Sequence, residues 1–266
     1  MVEGSVIKID KEKCIGCGIC IKDCPNHVLE LEKGKAIMSR EKCLECGHCV
    51  AICPKEAFSM DGYDMDEVKS YDKSTFGVDS DVLLNTIQFR RSIRKYKKDQ
   101  VENEKIEKII EAGRFTPTGS NKQKIRYIVV QESIPMFEDE SIKTFKKIKS
   151  VLQIADKIIK LPYDLSKFEL KRGFFFHGAP TLIFIISKDE VDASLATMSM
   201  ELMAESMGIG TLHVGFFTRA AKFNSKIRKE VGLKNGEKIV NCLVIGYPDV
   251  KYSRTVPRKK ANIEWR

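Results

Sequence analysis

The chain has 266 residues, 42% hydrophobic and 31% charged, with 17 Gly and 8 Pro. This ordinary composition excludes a disordered, collagen-like or low-complexity chain, and the length suggests one or two domains. The net charge of +9 is uneven: residues 1–60 carry 9 Lys+Arg against 9 Asp+Glu, leaving 37 against 28 for residues 61–266. A basic second part seeks anions. Nucleic acid is the generic partner; a phosphorylated cofactor or an acidic redox partner is the competing one. Apolar runs such as Leu182 to Ile186 fall far short of the roughly 18 residues that span a bilayer. The opening MVEGSVIKIDKEK lacks the apolar core of a secretory signal. A cytoplasmic protein is expected.

Eight of the nine cysteines lie between Cys14 and Cys53. Cys14, Cys17, Cys20 and Cys24 read C-x2-C-x2-C-x3-C-P, and Cys43, Cys46, Cys49 and Cys53 repeat that spacing 29 residues later. A disulfide framework fits neither the compartment nor the spacing, and zinc does not explain the triple run followed by Cys-Pro, twice. This run is the bacterial iron–sulfur signature, in which the fourth cysteine serves the other cluster. Residues 1–60 thus resemble a bacterial-type 2[4Fe-4S] ferredoxin. Cys14, Cys17, Cys20 and Cys53 are expected to hold one cluster, and Cys43, Cys46, Cys49 and Cys24 the other. The glycines at 16, 18 and 47 let each loop wrap closely, and the fourth cysteine is expected to begin a helix. His48 reads as a variable loop residue, and Cys242 as a small core residue in an apolar strand.

Residues 61–79 are polar and aperiodic, and read as a linker or strap. From Ser80 the pattern changes to a second domain, residues 80–266. A helix is expected from Ser80 to Phe89, capped by Asp79 or Ser80, with Val82, Leu83, Thr86 and Ile87 inward. Glu102 to Phe115 reads as a second helix with Ile106, Ile109 and Ile110 inward. A short strand follows over Arg126 to Gln131, then a lysine-rich helix over Phe137 to Ile159. Thr181 to Ser187 reads as a strand buried on both faces. Ala193 to Met207 is a helix apolar nearly all round, suited to core or to a subunit interface. A short helix over Lys222 to Val231 and a buried strand over Ile239 to Tyr247 complete an α+β fold, small ferredoxin-like domain first, with the second domain layered around one sheet.

Arg90 to Lys98, RRSIRKYKK, holds six cations in nine residues. Arg90, Arg91 and Ser92 fall at a helix end, where guanidiniums and a hydroxyl can grip a phosphate. Arg258, Lys259 and Lys260 form a second basic set. These segments, together with FTPTGSNKQKIRYIVV, FFHGAPTLIFI, MGIGTLHVGFF and GYPDV, occur in an order similar to that of the nitroreductase superfamily. The resemblance covers roughly residues 80–266. It departs where the family's Pro-Trp is Lys124-Ile125. It implies an α-β-α sandwich, a homodimer and FMN. Arg90, Arg91 and Ser92 would then bind the phosphate and ribityl chain, and Arg258 with Lys259 would complete that site. Arg94, Asn121 and Gln123 would meet the polar edge of the flavin, and the backbone of Val214 and Gly215 would face its other side. No side-chain nucleophile is expected.

Together these readings give an iron–sulfur flavoprotein oxidoreductase. Electrons would pass from two [4Fe-4S] clusters through FMN to a nitroaromatic, quinone or activated alkene. The donor would be a ferredoxin or NAD(P)H, although no G-x-G-x-x-G marks a Rossmann domain. The alternative is an electron-transfer module between proteins without small-molecule turnover. Nucleic acid and membrane are not expected partners, and low-potential clusters suggest an anaerobe.

Overall fold

A computed structural model describes residues 6–39, 42–156 and 169–266, without the side chains of 151–156. The chain forms two compact units: Met1–Gly77 with Gly119–Lys122, and Val78–Thr118 with Gln123–Arg266.

The first unit contains β1 (Ile7–Ile9), α1 (Ile19–Asp23), β2 (Leu29–Glu32), β3 (Lys35–Met38), α2 (His48–Ile52) and β4 (Phe58–Met60). A 3-10 turn, Met65–Glu67, and α3 (Lys73–Phe76) follow within the stretch expected as linker. The 29-residue repeat of the sequence is also a repeat of structure. β1 pairs antiparallel with β4, Ile7 opposite Met60; β2 pairs with β3, Leu31 opposite Ala36. Shifting the first pair by one repeat reproduces the second. Each repeat therefore lends one strand to the other repeat's ribbon, and the halves are interlocked. Their shared core includes Val28, Leu29, Ala36, Phe58 and Met60, with Cys14 and Cys20.

The second unit contains α4 (Ser80–Phe89), α5 (Asn103–Arg114), β5 (Arg126–Val130), α6 (Ile134–Asp156), β6 (Thr181–Ser187), α7 (Glu190–Ser206), β7 (Gly210–His213), α8 (Gly215–Phe223), α9 (Ser225–Glu230) and β8 (Lys238–Gly246). The strands form one antiparallel sheet, order β5-β6-β8-β7. Strand alternation sends Leu182, Phe184 and Ile186 of β6 to one core and Ile183 and Ile185 to the other. The first core includes Phe137, Phe217 and Ile227 from α6, α8 and α9; the second includes Ile106, Ile109, Met200 and Ala204 from α5 and α7. This is why β6 is buried along its whole length although its neighbours run antiparallel.

Several expectations change. The apolar side of α4 is not inward: Val82 is 59% exposed and Leu83, Leu84 and Ile87 are also exposed. Asp79 does cap that helix, its carboxylate accepting from the Asp81 and Val82 amides at 2.9 Å. The helix expected over Lys222–Val231 is two, α8 and α9. Extended Asn224 breaks the run and accepts from the Ile227 amide at 2.9 Å. β7 and the first turn of α8 were not expected as regular elements, because they are too short and glycine-flanked to show a period. The end of the lysine-rich helix, 157–159, lies outside the described residues.

Candidate functional sites

In the first unit each cysteine run turns into a short helix through a left-handed glycine. Gly18 begins α1 at φ 71° and Gly47 begins α2 at φ 73°. The third cysteines, Cys20 and Cys49, ride on these helices. Contrary to expectation, the fourth cysteines end a helix rather than begin one. Cys24 (φ −70°, ψ 113°) and Cys53 (φ −75°, ψ 114°) are extended C-caps. Pro25 and Pro54 enforce this, since a residue before proline is pushed out of the helical region.

The result is two cavities with two cysteine sets. One is lined by Cys14, Cys17, Cys20 and Cys53, the other by Cys24, Cys43, Cys46 and Cys49. The crossed partition follows from the interlocked ribbons, which carry each fourth cysteine to the opposite repeat. Backbone amides are aimed at sulfur: Ala36 N–H at Cys14, Glu45 N–H at Cys43 and Ala57 N–H at Cys53, each at 3.3 Å. Burial pushes the Cys20 and Cys43 thiols up, and Cys49 to about 12. Burial acts the same way on Cys14. There the amides of Ala36 and Gly16 and the nearby Lys35 and Lys11 outweigh it and bring the thiol down. Buried and half-buried thiols with amides aimed at sulfur fit a cationic metal centre, which supplies the charge that stabilises thiolate.

In the second unit the basic segment runs beside the sheet. Ser92 pairs with Thr211 and Tyr96 with Pro248, and the Ile93 amide donates to the Thr211 carbonyl at 2.8 Å. Gly210 makes this approach possible: a Cβ there would sit 2.6 Å from Ile93 Cγ1. The strapped segment carries Arg94 to a cavity of about 640 Å³. One wall is the β7–α8 turn with Leu212, His213, Val214, Gly215, Phe216 and Arg219; the facing wall runs from Glu169 to His177 and includes Phe174. A Cβ on Gly215 would meet nothing within 4 Å, so its face is open.

Of the expected cofactor residues, Arg94, Val214 and Gly215 line this cavity. Arg90, Arg91 and Ser92 lie on the segment leading to it. Arg91 donates to the carbonyls of Arg90 (2.5 Å) and Gln88 (3.1 Å). Among the described residues its Nε is buried without a partner, a donor open to an acceptor from outside them. Asn121 belongs to the first unit. Its amide donates to the carbonyls of Leu44 (3.3 Å) and Glu45 (2.8 Å) on the second cysteine loop. Gln123 sits at φ 49°, its backbone N–H donating to Thr118 Oγ1 at 2.9 Å. Arg258 and Lys259 are exposed in an irregular C-terminal segment and are not among the cavity-lining residues.

Sequence reasoning missed Glu201. It is 3% exposed on α7, and one carboxylate oxygen accepts from Arg90 Nη1 (3.1 Å), Thr211 Oγ1 (2.9 Å) and His213 Nε2 (3.3 Å). Burial opposes its ionisation, but His213, Thr211 and Arg90 together hold it below the usual carboxylate value. The detectable signal was an acid, Glu201, within the most apolar stretch of the helix. Also missed was His177, whose proton affinity is lowered by burial and by Arg94.

A family model described as the nitroreductase family matches residues 87–247, and one described as a 4Fe-4S dicluster domain matches residues 13–58. A protein of Archaeoglobus fulgidus, provisionally named an NADH dehydrogenase/NAD(P)H nitroreductase, is 27% identical over 171 residues, 62% of this chain and 84% of that one. Ferredoxin-2 of Desulfomicrobium norvegicum is 50% identical over 34 residues, 13% of this chain and 58% of that protein. A solved nitroreductase with bound FMN from Desulfitobacterium hafniense is similar in fold: TM-score 0.55 at 24% identity, covering 68% of this chain and 98% of that one. Among the described residues no helix is long and apolar enough to cross a membrane.

Proposed function

The chain belongs to the nitroreductase family, and from that premise we propose that it is an iron–sulfur flavoprotein that passes electrons from two [4Fe-4S] clusters through FMN to a small organic acceptor. What carries the reading is the cavity in the second unit, where Arg94, Val214 and Gly215 meet an aromatic wall. Its volume lies within the range of about 300–1,000 Å³ typical of small-molecule sites, as a flavin site requires. FMN when bound takes up one or two electrons, and iron–sulfur clusters one at a time.

The protein's part is to bind and orient. Cys14, Cys17, Cys20 and Cys53 would hold one cluster, and Cys24, Cys43, Cys46 and Cys49 the other. Arg90, Arg91 and Ser92 would bind the FMN phosphate and ribityl chain, with the buried Arg91 Nε as a donor in waiting. Glu201 would fix Arg90 in place. Arg94 would favour negative charge on the flavin's polar edge, and Gly215, lacking a Cβ, would leave the opposite approach open. Asn121 and Gln123 are further candidates for the polar edge, and Arg258 with Lys259 for the phosphate. The acceptor would be a nitroaromatic, quinone or activated alkene, and the donor a ferredoxin or NAD(P)H. A homodimer is supported by the exposed apolar side chains of α4 and of α7, where Leu195 and Met198 face outward while Met200 is in the core.

The test is iron, acid-labile sulfide and flavin per chain in protein purified without oxygen. About eight irons (two clusters of four) and about one FMN are expected. Eight irons without flavin would overturn the flavin half. The double variant Arg90→Ala, Arg258→Ala should lose FMN and keep its iron; stoichiometric flavin in it would place the phosphate elsewhere.

A further inference from the structure

We propose that the cavity selects planar acceptors carrying an anionic group, a carboxylate above all, and that Arg219 is the residue that recognises the anion. The inference rests on the flavin reading above and deepens it by naming a substrate class. Four permanent cations line the cavity: Arg94, Lys171, Arg172 and Arg219. Two are neutralised by the chain itself. Arg172 makes a forked pair with Asp139 at 2.9 and 2.6 Å, and Lys171 lies 2.9 Å from Glu169. Arg94 is assigned to the flavin edge.

Arg219 is different. Among the described residues no carboxylate pairs with it. Its guanidinium instead lies over the Phe216 ring, 5.9 Å from the centroid. It sits one helical turn beyond Gly215 on α8, so its side chain leans back along the same face toward the cavity. A guanidinium resting on an aromatic ring keeps its donor edge free, and that fork matches a carboxylate in two parallel hydrogen bonds. Phe174 faces the same space, its ring 6.3 Å from that of Phe216. Aromatic surface with one unpaired cation at its edge selects a flat apolar body bearing a negative group. A neutral ring of the same size would leave that guanidinium unanswered.

The experiment uses the full-length holoprotein, with flavin per chain measured on every sample. Dissociation constants are determined by calorimetry for 4-nitrobenzoate and for neutral 4-nitrobenzyl alcohol. The acid should bind about tenfold tighter than the alcohol, the size of one charge-assisted contact. Arg219→Ala should bring that ratio to about one, and Arg219→Lys should recover part of it, since lysine keeps the charge but loses the fork. An unchanged ratio in Arg219→Ala, with about one FMN per chain, would overturn the assignment while leaving the flavin reading intact. Wild-type protein without flavin would instead overturn the proposed function, and this inference with it.

Discussion

The first unit's core includes nine buried apolar or cysteine side chains gathered around strands of three or four residues, and two of the nine are cysteines. The second buries a seven-residue strand completely between two helical layers. A core as small as the first rarely supplies more than about 3–5 kcal/mol, so cluster binding would couple to folding there. The second unit needs no such staple. The same contrast governs where function sits. In the first unit two of the proposed ligands, Cys14 and Cys20, are part of the core. In the second, the site is a cavity beside a core that would exist without it.

The sharpest way to break this comparison is to remove the metal. Treating the protein with chelator and acid should unfold the first unit and leave the second cooperative. Circular dichroism and limited proteolysis would then find a resistant fragment beginning near residue 78. A fully protected first unit in iron-free protein would mean that its small core suffices.

Next in size is Gly16→Ala. Gly16 has φ +67°, and a Cβ there would lie 2.1 Å from the carbonyl oxygen of Gly34, so backbone must move at a cost of about 3 kcal/mol. Its counterpart one repeat later is Glu45, which tolerates φ 53°. Glu45→Ala should cost less than about 1 kcal/mol. Equal losses in the two variants, measured by denaturant unfolding of the iron-loaded protein, would refute the asymmetry.

In the second unit, Glu201→Gln should cost about 2 kcal/mol and weaken flavin binding, because Arg90 and His213 lose a buried charged partner. The pH dependence has a definite sign. The Glu201 carboxyl is held below its ordinary value of 4.5. Its contribution is therefore complete above that value and disappears as pH falls through the depressed folded-state value. The stability gap between wild type and Glu201→Gln should be full at pH 7 and narrow below pH 4.5. A gap that widens on acidification would mean that the carboxylate is not the stabilised form. The smallest effect is Asp79→Ala, which removes the N-cap of α4 and should lower stability by about 1 kcal/mol.

The two sites were legible to different degrees. Cysteine spacing is local, and a cysteine set repeated at 29 residues needs no tertiary knowledge to be recognised. The buried strand at Thr181–Ser187 and the helix at Asn103–Arg114 were equally plain, because long apolar periods are strong signals. Whether α4 turned its apolar side inward was not legible, since periodicity marks a face without saying what covers it. Nor was the hub at Glu201, which joins residues from three separate segments. One of the four acids on α7 carries little signal until Arg90, Thr211 and His213 are seen around it.

By itself, then, the sequence determined the cysteine pattern of the first unit: two identical runs 29 residues apart, an internal repeat from which the ligand grouping is proposed. That information is carried by spacing along the chain, which folding does not alter. Only the tertiary structure decided how the crossed grouping is built, through strands exchanged between repeats and fourth cysteines that end their helices. It alone also brought Arg94, Gly215, Phe174 and Arg219 to one cavity. Their convergence depends on the register of an antiparallel sheet and on the close approach that Gly210 permits, and neither is encoded in any local stretch of the chain.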